Sequence, residues 1–179
     1  TNAAEVQTAL NGCYAGLRAT IAEEWKLTEL RSDIAIMGNA GSKSVPNREL
    51  SDLDQFIPST SLTAIYTYWS ANYANIRNVN MILDALDINY SDATGALTVG
   101  TTSKVAITPA ELKEIASQAA FLRAYHYFNM VRLFGGVFLV HEPITGQQAI
   151  DMNRVSANDI YKLIIADLQY ASTNGNSLN

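Results

Sequence analysis

Apolar residues recur at three- and four-residue steps along four stretches of the chain, and each stretch predicts an amphipathic helix. Over residues 4 to 22, Val6, Leu10, Cys13, Leu17 and Ile21 form one face. From Ser61 to Leu86 the stripe is Ile65, Trp69, Asn72, Ile76, Val79, Leu83 and Leu86. A third helix, Thr108 to Phe134, carries Leu112, Ile115, Ala119, Leu122 and His126. The fourth runs from Ser156 to Ala171, with Ile160, Ile164, Leu168 and Ala171 on one side. The third has the clearest ends. Thr108, Pro109 and Glu111 make a capping box with proline at the first helical position, and Gly135-Gly136 stops the helix. Gly12 and Gly16 are expected to let a neighbouring helix come close to the first helix. Asparagines at 72, 75, 78 and 80 are numerous for a helix, because the amide competes for backbone bonds. They point to inter-helix hydrogen bonds or a polar face.

The intervening pieces are polar. Trp25 to Met37 predicts a short helix passing into an extended piece after Ser32-Asp33. Residues 38 to 60 are rich in Gly, Ser, Asn, Asp and Pro and predict one long loop, anchored by some of Val45, Leu50, Leu53, Phe56 and Ile57. Residues 87 to 107 form a second insert, with room for a short hairpin around Gly100-Thr101. Val137 to Val140 predicts a short extended segment, and residues 141 to 155 a connector. No alternating strand pattern is convincing. The fold class is therefore all-α: an antiparallel helical array of helix pairs joined across long inserted loops. A 34-residue repeat period is not visible in the sequence.

Composition narrows the chemistry. Hydrophobic residues make up 48% and charged residues 16% of the chain, which suits an ordinary packed core. A formal net charge of -5 and the lack of any basic run argue against nucleic acid as a partner. Cys13 is the one cysteine, so it has no intrachain disulfide partner and reads as a small buried residue. It is not a lipidation site, because Glu5 and Gln7 break any apolar signal core before it. No apolar run approaches the ~20 residues that span a bilayer. His126 and His141 have no converging ligands, so no metal is expected, and His126 reads as a hydrogen-bonded core residue. Gly135-Gly136 lacks nucleotide-loop spacing, and no cofactor motif is present. The acid pairs Glu23-Glu24, Asp52 with Asp54, and Asp84 with Asp87 read as surface acids rather than a glycosidase pair. The chain is expected not to be an enzyme.

Aromatics carry more information. Tyr66, Tyr68, Trp69 and Tyr73 cluster at the start of the second long helix. Core packing is the first reading, and a partly exposed platform the second. The loop before them supplies Asn47, Arg48, Asp52, Asp54, Gln55 and Phe56. Sugars stack apolar C–H faces on rings and bond their hydroxyls to such polar groups, so Arg48, Asp52, Phe56 and Tyr66 are the candidate ligand-binding residues.

Several pieces, in order, resemble the SusD/RagB family of outer-membrane nutrient-binding lipoproteins. They are Ala9-Leu-Asn-Gly-Cys-Tyr14, Leu30-Arg-Ser-Asp33, Trp69-x-x-x-Tyr73-x-x-Ile76 with Asn80, and Ala120 to Val140 with its Arg-Ala and Gly-Gly elements. Arg154-x-Ser156, Tyr161, Ile164 and Asp167-Leu168 follow. Phe138 stands where the family commonly has proline. The resemblance implies a helical scaffold of tetratricopeptide-like pairs, with residues 1–179 as an N-terminal helical domain incomplete at both ends. It implies structural roles for Arg123, Trp69, Tyr73, Asn80 and Asp167. It also implies an outward-facing outer-membrane lipoprotein, anchored by a lipid outside this chain. Such a protein binds oligosaccharides, or in some members peptides, without cleaving them and passes them to a SusC-like TonB-dependent transporter. A helical-repeat adaptor for a protein or peptide shares the scaffold and is the alternative.

Overall fold

The computed structural model describes residues 2–32, 34–37, 48–57 and 62–176. In chain order the elements are α1 (Ala3–Leu27), α2 (Arg48–Asp54), α3 (Thr63–Ala85), β1 (Ile88–Ser91), β2 (Ala96–Val99), α4 (Pro109–Phe134), α5 (Gly146–Asp151) and α6 (Ala157–Asn174). The chain divides into two compact units, one of Thr1–Ala15 with Asn72–Asn179 and one of Gly16–Ala71.

In the larger unit α4 is the central element. Its capping box forms as expected: the Glu111 amide donates to Thr108 Oγ1, and the Thr108 amide donates to Glu111 Oε2. Ile115, Ala116, Ala119, Ala120, Leu122, Ala124, Tyr127 and Met130 are all buried, so the helix is apolar on more than one side. Helix α6 lies antiparallel to it. Arg123 pairs with Asp167, Ser117 lies beside Gly175, and Gly136 lies against Val155 at the opposite end. Helix α3 runs antiparallel to α4 as well, because Asn72 and Asn75 meet His126 while Asn80 meets Arg123. Asn75 also donates to the Cys13 carbonyl on α1, so three of the four asparagines make inter-helix bonds, while Asn78 is exposed. Ile76, Val79, Leu83 and Leu86 complete the α3 face, with Leu10 and buried Cys13 on α1.

Residues 137–142 form no regular element and are held by side chains. Tyr73 and Tyr127 hydroxyls donate to the Phe138 and Val140 carbonyls, and the Val140 amide donates to Tyr127. Asn80 donates to Val140 and Glu142 carbonyls, and Arg123 to that of His141. The two glycines before this segment have separate jobs. Gly135 adopts φ 69°, left-handed, and returns its amide to Val131. Gly136 makes a close approach: a Cβ there would collide with the Val155 carbonyl oxygen, next to the bond from the Val155 amide to Val137. Gly136→Ala is therefore expected to destabilise by about 1–3 kcal/mol, as overpacking against rigid backbone does. Urea denaturation checks this, and an unchanged midpoint refutes it.

Several expectations need correction. Helix α1 runs on to Leu27, and its outer half turns away from the apolar pattern: Ile21 is 54% exposed. A Cβ on Gly12 would meet nothing, so that glycine marks no close helix approach. The supposed loop 38–60 contains α2, while residues 38–47 and 58–60, with Val45 and Asn47, lie outside the described residues, as does Asp33. Leu53 is its buried anchor, whereas Phe56 and Ile57 are exposed. The 87–107 hairpin turns at Gly95 (φ 64°), not at Gly100, with Ile88 opposite Val99 and Ser91 opposite Ala96. Gly100 is instead the place where the chain passes Asp87, whose carboxylate a Cβ would overlap. The 141–155 connector holds the short helix α5, begun by a Thr145–Gln148 capping box. On α6, Leu168 is exposed and Leu163 takes its place in the core.

Candidate functional site

Helix α2 forms in a polar stretch because its ends are tied to neighbours. Glu49 Oε1 accepts the Ala64 amide at 2.7 Å, so it caps the N-terminus of α3 from outside. Asp54 Oδ2 accepts the Met37 amide at 3.0 Å. Buried Leu53 and Ser51 face inward, and Ser51 Oγ accepts from Gln55. Arg48 stands on the outward face, with the half-buried Asp52 one helical turn away. Arg48 Nε lies 3.6 Å from Asp52 Oδ1, a loose pair with the arginine side chain 87% exposed. Such a pair adds little stability and leaves the Arg48 guanidinium open to a polar ligand, whereas the Asp52 side chain is only 18% exposed.

The chain leaves α2 through Phe56, whose φ of 55° is left-handed. A bulky aromatic there is a genuine outlier, and strain of this kind costs of order 1–3 kcal/mol. The ring is 60% exposed, and the Arg31 guanidinium lies 5.2 Å from its centroid. The Phe56 amide bonds to Leu53 and the Ile57 amide to Asp52, so the backbone around the ring is fixed. Tyr66 projects from α3 and is 74% exposed. Of the four sequence candidates, the structure joins Arg48 to Asp52 and sets Phe56 on Arg31. No hydrogen bond, ion pair or ring contact joins Tyr66 to them among the described residues. Two surface grooves, of about 810 and 410 Å³, lie in the other unit, and none of the four residues lines them.

Arg31 enters the sequence reading only within the Leu30-Arg-Ser-Asp33 stretch, and nothing in the sequence places it beside Phe56. Trp69 and Tyr73 are half-buried, which favours the packing reading, and burial pushes the Tyr73 phenol up while it donates to Phe138. Arg123, Asn80 and Asp167 form a buried network with Tyr73 nearby, and none of them faces solvent as a ligand site would. His126 is fully buried between Asn72 and Asn75, not a metal ligand. Among the described residues no cluster of three potential metal ligands occurs. Nor is any described helix long and apolar enough to cross a membrane.

A family model described as SusD-like, starch-binding and associating with the outer membrane, matches residues 1–174. A SusD-like protein of Formosa agariphila is 27% identical over 172 residues, which cover 94% of this chain and 30% of that protein. Among solved structures, a SusD-like protein from Bacteroides fragilis superposes with a TM-score of 0.70 at 22% identity, covering 94% of this chain and 29% of the other. A laminarin-binding SusD-like protein does so with a TM-score of 0.66 at 23% identity, over 92% and 34% of the two chains. These structures share the all-α, tetratricopeptide-like architecture. The chain spans under a third of the length of the curated relative. With the match running from the first helix through the last, the chain belongs to the SusD-like family.

Proposed function

We propose that this chain is the helical part of a non-catalytic, outward-facing outer-membrane lipoprotein that binds glycan and hands it to a TonB-dependent transporter. The lipid anchor and the remaining domain lie outside residues 1–179. The observation that carries this reading is Phe56. An exposed ring held in left-handed backbone and backed by Arg31, on the same unit as the loosely paired Arg48 and Asp52, has the chemistry of a sugar platform. The ring offers a stacking face, and the ion pair offers donors and acceptors for hydroxyls. Tyr66 is a second exposed ring on the same unit. The family description as starch-binding and the laminarin-binding neighbour support a glycan as the ligand class.

The test is affinity electrophoresis of the full-length protein through gels carrying soluble polysaccharides, laminarin and starch among them. Retardation by at least one glycan, with the polymer left intact, is the expected result. Phe56→Ala should abolish most of that retardation and leave the melting temperature nearly unchanged, because the ring contributes little to the core. Phe56→Gly should abolish the retardation as well and raise the melting temperature by a few degrees, because glycine relieves the left-handed backbone. Unaltered retardation in both variants would remove Phe56 from the site. Retardation in no gel would move the ligand class to peptide.

A further inference from the structure

Two arginines of the smaller unit keep their donors free, while the acids of α2 are already engaged. Arg31 lies over the exposed Phe56 ring, 5.2 Å from its centroid, and makes no hydrogen bond or ion pair among the described residues. A cation–π contact uses up none of the five N–H donors of a guanidinium. The Arg48 side chain is exposed, and its nearest approach to a carboxylate, 3.6 Å from Nε to Asp52, is too long for a hydrogen bond. Asp52 links the two places, because its carbonyl accepts the Ile57 amide while its carboxylate faces Arg48. The acids of α2 have little left to offer. Glu49 accepts the Ala64 amide, Asp54 accepts the Met37 amide, and Asp52 is half-buried. The whole chain carries a formal net charge of -5, so this excess of free cationic donors is local.

A sugar hydroxyl both donates and accepts, so a site for neutral sugars carries donors and acceptors together. A guanidinium only donates, and the groups that only accept are anions. We propose that the ligand at Phe56 is an acidic glycan, bearing uronate carboxylates or sulfate esters, and that Arg31 is the residue that selects the anion. This rests on the glycan reading of the same site and narrows it. The ring takes the apolar face of one sugar unit, and the Arg31 fork meets an anionic group at the rim of the ring. Arg48 stands at the other end of the seven-residue α2, a helix about 10 Å long, and offers a second charge there. A polymer with repeated anionic groups therefore gains more than a single sugar does.

Isothermal titration calorimetry of the full-length protein tests this. Polygalacturonate and alginate are the carboxylate probes and carrageenan the sulfate probe. Methyl-esterified polygalacturonate, laminarin and starch are the neutral ones. At least one acidic polymer is expected to bind about tenfold or more tighter than every neutral one, the size of one charge-assisted hydrogen bond. Which acidic polymer binds identifies the anion. Arg31→Gln should remove most of that preference, and Arg132→Gln should not. Arg132 is the matched control, an exposed arginine 5.1 Å from the Phe128 ring in the other unit. Neutral polymers bound as tightly as the acidic ones, with the affinity lost in Phe56→Ala, overturn the acidic preference and leave the glycan reading intact. Binding of no polymer overturns both. An equal loss in Arg31→Gln and Arg132→Gln also overturns the proposal, because the attraction is then general charge rather than this site.

Discussion

Arg123→Ala is expected to destabilise the protein by about 3–5 kcal/mol, the loss that follows when one member of a buried ion pair is removed. The guanidinium is fully buried and makes four hydrogen bonds. Nε and Nη2 donate to the two Asp167 oxygens at 2.8 Å, and Nη1 donates to Asn80 Oδ1 and the His141 carbonyl. Burial pushes the Asp167 carboxyl above the usual range, and Arg123 is the main group pulling it back. Truncation therefore leaves a carboxylate with no countercharge, an amide with no donor and a carbonyl with no partner. Arg123→Lys is not a conservative change either, because an ammonium cannot reproduce the two-pronged fit. Replacing both charges, as in Arg123→Met with Asp167→Leu, should cost less than Arg123→Ala alone, since no charge is then left buried unpaired. Urea denaturation of the three variants decides it. A single-variant loss below about 1 kcal/mol would mean that the pair is poorly formed.

The second large effect is with pH. His126 is fully buried between two amides. Nδ1 lies 2.8 Å from Asn72 Oδ1, and Nε2 lies 2.8 Å from the Asn75 Nδ2 that also donates to the Cys13 carbonyl. A neutral ring with its proton on Nδ1 satisfies all of these contacts. Protonating Nε2 would set donor against donor, and flipping Asn75 would turn its oxygen onto the Cys13 carbonyl. Burial lowers the His126 pKa from 6.5 to about 4. The unfolded chain thus takes up the proton first, so stability is full above pH 6.5 and falls as pH drops toward 4. A shift of that size is worth about 3 kcal/mol across the whole interval, and about 2 kcal/mol of it is lost between pH 6.5 and 5. Glu111, Asp87 and Asp159 have carboxyls lowered by their hydrogen bonds, so their contributions are lost only at lower pH. Denaturation midpoints of wild type and His126→Gln between pH 7.5 and 5 provide the check. Parallel curves would rule out His126 as the source.

What the sequence made legible was local. The Thr108 capping box, the stripes of α3 and α4 and the Ser156 cap depend on residues three or four apart, and each is present. What stayed hidden depends on distant atoms. Helix α2 is only seven residues long, too short to be stable alone, and is held by Glu49 bonding to Ala64 and Asp54 to Met37. The hairpin turn fell to Gly95 rather than Gly100 because both are glycines, and only tertiary contact shows that Gly100 is needed for room beside Asp87. At the candidate site, Arg48 and Asp52 were readable as a one-turn pair, while the left-handed backbone of Phe56 and its stacking on Arg31 were not. No composition rule marks a phenylalanine for positive φ.

The segment 137–142 is gripped almost wholly by its carbonyl oxygens, through Tyr73, Asn80, Arg123 and Tyr127. A carbonyl is common to every amino acid, so these anchors do not read which side chains the segment carries. Its path is therefore written in α3 and α4 and not in itself. The grip on the carbonyls tolerates changes of side chain at 138–142, except a proline at 140, which would lose the amide bond to Tyr127, while a change at any of the four gripping residues would be felt along the whole segment.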